Sequence, residues 1–132
     1  MTTSVRGDTI AEAFLGAFSR RDWEGVAGCF DPEAHFRAVV PNERPFRDRT
    51  GSQEAAEQLR KWFGDGDHFE VISSTVEPVV DRVRVAYRVR YHDEDGWQLV
   101  EQQAYLTIGE SGIRYMNLVC SGFRQTGEPR TS

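Results

Sequence analysis

Apolar residues recur along this chain with two periods, and the change from one to the other falls near His68. Before it the spacing is that of helices. Ile10, Phe14 and Phe18 stand four apart with Ala13 and Ala17 beside them, and Thr9 with Glu12 makes a T-x-x-E pattern that suits a helix start. Arg20 and Arg21 follow, where positive charge complements a helix C-terminus, and Asp22 is placed to cap a second, short helix carrying Trp23, Val26 and Phe30. Pro32 should end that helix. Ala34 to Val40 reads as a strand, and Pro41 to Arg49 as a charged connection with Arg44, Arg47 and Arg49. Thr50 and Gln53 repeat the capping pattern ahead of a third helix, whose apolar side holds Ala55, Ala56, Leu59, Trp62 and Phe63; Gly64 and Gly66 stop it.

From His68 onward the period is two. Phe69 to Val76, Val83 to Tyr91, Trp97 to Ile108 and Ile113 to Phe123 are rich in β-branched and aromatic residues and are separated by turn residues. Asp95-Gly96 is a strong hairpin signal, and Gly109 to Gly112 a second one. Strands joined by such short turns make an antiparallel meander, and a sheet with one apolar face needs helices to cover it. The expected fold is therefore α+β, with three N-terminal helices packed on a curved, mainly antiparallel sheet. Residues 1–124 form one domain in this reading, and 125–132, rich in Gly, Pro and polar residues, a loose tail.

Composition narrows the function more than the fold. With 132 residues, 39% hydrophobic and 28% charged, there is material for one core and not for two. Sixteen basic against twenty-one acidic residues give a net charge of -5, which speaks against a nucleic-acid partner held by a basic surface. No stretch approaches the roughly 20 apolar residues that cross a bilayer, and Met1 to Thr9 is polar, so a cytoplasmic protein with no membrane attachment is expected. Cys29 and Cys120 lie far apart, with no C-x-x-C pair and no zinc-type spacing. They read as two buried thiols or as one disulfide, and neither a metal nor another cofactor is implied.

The order helix, short helix, strand, third helix and four long strands resembles the cone-shaped fold shared by nuclear transport factor 2, ketosteroid isomerase and the SnoaL-like polyketide cyclases. The segment FLGAFSRRDWEGVAGCF, Phe14 to Phe30, resembles that superfamily's opening helix-turn-helix; DPEAHFRAVV resembles its first strand and RTGSQEAAEQLRKWF its third helix. The likeness runs from Thr9 to Arg124. It implies a cystatin-like α+β barrel enclosing a conical pocket, used across the family for isomerisation, cyclisation, dehydration, epoxide opening or binding alone. Laid on the ketosteroid isomerase pattern, the tyrosine of the first helix, the aspartate base of the first strand and the protonated aspartic acid of the next-to-last strand fall on Phe14, Ala38 and Ala104. None of these can move a proton or stabilise an oxyanion, so the resemblance implies the pocket and not that mechanism.

The same resemblance sets which strand residues point inward. Phe36, Ala38 and Val40, then Gln102, Ala104 and Leu106, and Met116, Leu118 and Cys120 would face the pocket, with Phe14, Phe18 and Trp62 on the helix side, an apolar lining for a small hydrophobic molecule. Alternation puts Val83, Val85, Tyr87, Val89 and Tyr91 on that side too. Four polar groups are candidates for chemistry there: Gln102, Tyr87, Tyr91 and His68. Tyr87 and Tyr91 either orient a ligand or hydrogen-bond to protein; Gln102 either holds a helix end or addresses a ligand, because a buried amide is costly without partners. His68, expected near Trp62 at the pocket rim, is of a type that titrates near neutral pH and can act as acid or base. Cys120 reads as a core thiol, with no base placed to activate it.

Other polar residues have weaker claims. His35 and Arg37 are expected outside, towards solvent or an interface, and His92 at an exposed hairpin. Arg44, Arg47 and Arg49 either attract an anionic group or form a solvated loop balanced by Glu43 and Asp48. The outward face sets Arg84, Arg88 and Arg90 beside Glu101, Gln103, Tyr105 and Thr107, then Tyr115, Asn117 and Val119, a mix that sheet-to-sheet dimers of this superfamily use; a homodimer through that face is expected. The resulting reading is a SnoaL-like protein that binds a small hydrophobic molecule and promotes its isomerisation, cyclisation or dehydration by shape. The alternative is a non-catalytic ligand-binding or dimeric accessory domain.

Overall fold

A computed structural model describes residues 2–41 and 48–127, with side chains from residue 8 onward. The two periods become three helices, α1 (Thr2–Ser19), α2 (Trp23–Gly28) and α3 (Ser52–Phe63), and seven strands: β1 (Phe30–Val39), β2 (Arg49–Thr50), β3 (His68–Val79), β4 (Arg82–Asp93), β5 (Gly96–Gly109), β6 (Gly112–Cys120) and β7 (Arg124–Gln125). The sheet order is β2-β1-β6-β5-β4-β3, with β7 paired to β5. Every pairing is antiparallel except β1 with β6.

The architecture departs from expectation in two ways. α3 follows β1 in the expected order, but a short β2 stands between them, so the third helix lies between strands and is not N-terminal to the sheet. Parallel neighbours such as β1 and β6 cannot be joined by a hairpin, and α3 with the β3–β5 meander forms the crossover between them. The sheet is curved and mixed but open: β2 and β3 are its edges, and no pair joins them into a barrel among the described residues.

Several boundaries also move. α1 begins well ahead of the Thr9 capping pattern, running through Gly7, and Arg20 and Arg21 fall beyond its end. α2 is capped as expected, Asp22 Oδ1 accepting from the Gly25 N–H at 3.0 Å, but Phe30 already belongs to β1. Pro32 therefore sits inside a strand, where the β1–β6 register breaks between Phe30 and His35; a bulge is where a strand tolerates proline. Gly51 precedes α3 with φ +110° and no side-chain cap bond, and Thr50 belongs to β2.

Two-residue turns join the long strands. Val80 takes φ +56° in the β3–β4 turn and is 99% exposed, a strained conformation for a β-branched residue. Gly112, at φ +115°, has Cys29 O where a Cβ would stand, 2.6 Å away, so the start of β6 fits only glycine against the end of α2. Bulges between Val71 and Ser73 and between Thr107 and Ile108 bend the sheet and re-phase its faces. All three helices cover one face: Phe14, Phe18, Val26, Leu59 and Phe63 are fully buried against it. No helix of the described residues is long and apolar enough to cross a membrane.

Candidate functional site

Because strand side chains alternate, each register line across the sheet gives one row on the inner, helix-covered face. Phe36, Met116, Leu106 and Val83 form one row, and Ala38, Leu118, Ala104 and Val85 the next. The third holds Cys120, Gln102 and Tyr87, beyond which Val100 and Val89 restore the apolar lining. Helix side chains lie over these rows, with Phe18 4.7 Å from Tyr87, Phe14 5.9 Å from Phe18 and Trp62 6.0 Å from Phe36, centroid to centroid. Of the eleven apolar residues expected as lining, Ala38, Val40 and Trp62 are half-buried against this core and the other eight are buried.

The third row is the only polar one of these, and it is as buried as its neighbours: Gln102 is 2% exposed, Tyr87 3% and Cys120 3%. Tyr87 O–H donates to Gln102 Oε1 at 2.5 Å, and Gln102 Nε2 donates to Cys120 Sγ at 3.3 Å. The Gly122 N–H donates to the same sulfur at 3.4 Å. Gln102 therefore holds no helix end; it is clamped between two strand side chains. Burial, with a smaller push from Cys120, drives the Tyr87 hydroxyl far above the ordinary tyrosine range, so it stays a protonated donor. Burial also raises Tyr91, against a hydrogen bond with the Gly66 backbone that pulls the other way. The layer supplies hydrogen bonds and no base.

The structure separates His68 from this layer. Its ring lies 5.0 Å from Trp97, its side chain is 42% exposed and its Nε2 is 3.4 Å from Glu70. The reason is topological: Trp62 packs towards Phe36 on β1, whereas His68 opens β3 at the opposite edge of the sheet. His92 is its cross-strand partner and is less exposed than expected, lying 4.7 Å from Trp97 with Nδ1 2.6 Å from Asp67 Oδ1. That hydrogen bond, the largest influence, holds the Asp67 carboxyl below its usual range. No group of three or more His, Cys, Asp or Glu among the described residues could hold a metal ion.

Arg44 and Arg47 lie outside the described residues, while Arg49 donates to Glu54 Oε1 at 2.8 Å and Gln58 Oε1 at 2.8 Å, tying β2 to α3. His35 stacks on Tyr115 at 5.3 Å, and Arg37 meets Asp48 at 3.1 Å, both on the outer face. Both cysteines are free, and burial followed by the charge of Asp22 raises the Cys29 thiol.

Two features have no sequence signal of their own. Arg21, at φ +53°, donates to the carbonyls of Phe63 at 3.1 Å and Gly66 at 2.9 Å, so its charge serves the end of α3 and not α1. Asp8 Oδ1 is buried without a hydrogen-bond partner, but it lies ten residues from Phe18 along α1, about 15 Å, and is no part of the polar row.

A model of the SnoaL-like domain matches residues 11–126. The chain belongs to the SnoaL-like domain family. Among solved structures, this SnoaL-like chain is similar to a candidate polyketide cyclase from Xanthomonas campestris pv. campestris, with 18% identity and a TM-score of 0.69 over 86% of this chain and 89% of that one. It is similar to a candidate isomerase from Bacillus subtilis, with 12% identity and a TM-score of 0.73 over 92% and 90% of the two chains. AusH from Aspergillus nidulans shares 18% identity and a TM-score of 0.69 over 86% and 82%. Identities this low establish a shared fold. No curated protein matches the sequence.

Proposed function

We propose that this SnoaL-like protein binds a small, largely apolar molecule between its helices and the inner face of its sheet. The polar row carries the reading. A row of hydrogen-bonding groups costs stability inside an apolar face, whereas in a binding site it orients a ligand. Tyr87 and Gln102 satisfy each other yet keep capacity: the amide has a second N–H and a second lone pair, and the phenol oxygen can accept. One polar atom of the ligand is held there while its hydrocarbon lies along Ala104, Leu118 and Phe14.

Chemistry in such a site comes from holding a reactive conformer away from water, since the row has nothing to take up a proton. Isomerisation, cyclisation or dehydration of an already reactive molecule is the class it fits, and the cyclase and isomerase descriptions of two structural neighbours lie in the same direction. Tyr91, buried beyond the row, is assigned a supporting contact, and His68 none. A row that holds hydrogen-bonding capacity but no proton acceptor favours binding as the primary role over acid–base catalysis. The test is native mass spectrometry of the protein recovered from cell extract, followed by affinity for the retained molecule. Gln102→Ala and Tyr87→Phe should each weaken it about tenfold, the loss of one hydrogen bond; unchanged affinity in both removes the assigned roles.

The same reading includes a homodimer through the outer face. There Val39 is 67% exposed, Val119 49%, Tyr115 41% and Tyr105 38%, on neighbouring strands. A hollow of about 400 Å³ opens over Ala86, flanked by Arg84, Arg88, Glu101 and Gln103. Arg84 pairs with Glu77 and Arg88 with Glu101, each at 2.6 Å, so this patch is balanced in charge and suits a second copy of itself. Val119→Arg should turn the dimer into monomer in sedimentation velocity; an unaltered sedimentation coefficient rejects this interface.

A further inference from the structure

β6 stops at Cys120, and the residues after it cross the end of the covered face. Ser121 fixes the root: its N–H donates to the Glu101 carbonyl at 2.8 Å, and its Oγ accepts from the Glu101 N–H at 2.9 Å. Gly122 then turns at φ +87°, a conformation that favours glycine. Farther on, β7 rejoins the sheet through only two residue pairs, Gln98 with Gln125 and Leu99 with Arg124, and the Thr126 N–H donates to Trp97 O at 2.9 Å. Between these anchors stands Phe123, half-buried, its ring 5.4 Å from Phe63 and 5.7 Å from Tyr91. Those two are core residues, 0% and 2% exposed.

Other connections gather at the same end. Pro41, leaving β1, packs against Gly122, 3.6 Å from where a Cβ would stand. Residues 64–67 are held by Arg21 on the Gly66 carbonyl and by the Asp67 N–H on His92 O at 3.0 Å. The root of the segment also touches the polar row directly, because the Gly122 N–H shares the Cys120 sulfur with Gln102. A continuous hydrogen-bonded chain thus runs from Tyr87 through Gln102 and Cys120 to the backbone of this segment.

We propose that Ser121–Gln125 is a strap closing this end of the interior, and that Phe123 is its access-determining residue, tied to the polar row through the Cys120 sulfur. This rests on the reading that the interior binds an apolar molecule. The strap is the element built to open. Between the Ser121–Glu101 bonds at its root and the two ladder pairs and the Gln125–Asp95 bond at its far end, only one N–H···S contact and one ring hold it. An unbroken ladder from Val83 to Asp93 holds β4 to β5, and weakly paired segments open locally while the rest stays folded. A ligand drawing the Gln102 amide towards itself changes the bonding at the sulfur that Gly122 shares, so occupancy of the row and the set of the strap are coupled.

Cys120 lies beneath the strap and reports on it. In a Cys29→Ser background, Cys120 is the one remaining thiol, and its rate of reaction with a small aromatic disulfide reagent is measured under native conditions. Phe123→Ala should raise that rate about tenfold, while Val26→Ala, which loosens the core beneath α2, should leave it within about twofold despite a lower Tm. An unchanged rate in Phe123→Ala, or an equal rise in Val26→Ala, overturns the strap. Saturating prodan, an apolar naphthyl ketone, should slow the reaction in the parent and in Phe123→Ala. If Phe123→Ala accelerates the reaction and prodan gives no protection, the strap stands and the binding reading falls. If Phe123→Ala does not fold, hydrogen exchange in the unsubstituted chain decides. The Thr126 amide should exchange at least about tenfold faster than those of Val89 and Val100, and equal protection overturns the proposal.

Discussion

Tyr87 and Arg88 are neighbours on β4, and each meets its cross-strand partner on β5: Tyr87 pairs with Gln102 on the inner face, Arg88 with Glu101 on the outer. Both contacts are short, 2.5 Å and 2.6 Å. Their surroundings are opposite. The first pair is neutral and 2–3% exposed, while the side chains of the second are 48% and 55% exposed. Water competes for the outer pair in both the folded and the unfolded chain, so its net contribution is small. The inner pair has no substitute if one member is lost, and breaking it leaves a polar group stranded. Geometry alone therefore does not rank the two contacts; burial does.

The largest effect tests the wall behind the inner pair. Phe18→Ala, which empties the position over Tyr87, should cost about 3–5 kcal/mol in urea denaturation. Next, Gln102→Ala strands the Tyr87 hydroxyl and should cost about 1–3 kcal/mol. Tyr87→Phe with Gln102→Leu removes both polar groups and should cost clearly less than the two single changes added together; strict additivity would mean the hydrogen bond between them contributes nothing. Outside, Arg88→Ala should cost about 0.2–1 kcal/mol, and the cost should vanish in molar salt. A loss there as large as that of Gln102→Ala would erase the contrast between the faces.

Much of this contrast was legible in the sequence. Val83 to Tyr91 alternates, with Arg84, Arg88 and Arg90 between the inward residues and Ala86 the one apolar residue on the outer side, which gives the faces. A turn centred on Asp95-Gly96 would set Tyr87 opposite Ala104; the observed pairing of Asp93 with Gly96 shifts the register by two, keeps the face and sets Tyr87 opposite Gln102. The third member of the row was harder to derive. Counting back from the Gly109–Gly112 turn would set Val119 opposite Gln102, and the bulge between Thr107 and Ile108 shifts the register by one to bring in Cys120. A bulge leaves no mark in composition. The β3 bulge at Ile72 is hidden in the same way, and so is the Pro32 bulge, which made the start of β1 look like the end of a helix. Among site residues, the setting of His68 against Trp97 was not legible, because its strand was known but not the edge of the sheet that strand would take. Phe123 read as the end of a strand, and only the three-dimensional turn at Gly122 shows it directed towards Phe63.

Two smaller effects sharpen the account at its margins. Val80→Gly relieves a positive φ at an exposed turn and should raise stability by up to about 1 kcal/mol, a gain that no contact predicts. The Asp67–His92 pair supplies a pH dependence of known sign. Asp67 is held below its ordinary value of 3.8, so its contribution is fully present above that value and is lost as pH falls through the lower folded one. Asp67→Asn should flatten the acid limb of stability measured below about pH 4, and an unaltered limb would show the pair to be inert.

The most direct test of the central claim uses two adjacent residues of β1. Ala38 faces inward and is half-buried, and Val39 faces outward at 67% exposure. Ala38→Phe and Val39→Phe place the same ring on opposite faces, and prodan fluorescence reads the interior. Ala38→Phe should weaken saturable, blue-shifted binding at least about tenfold while Val39→Phe leaves it unchanged; binding that survives Ala38→Phe, or is lost in Val39→Phe instead, contradicts a ligand site on the inner face.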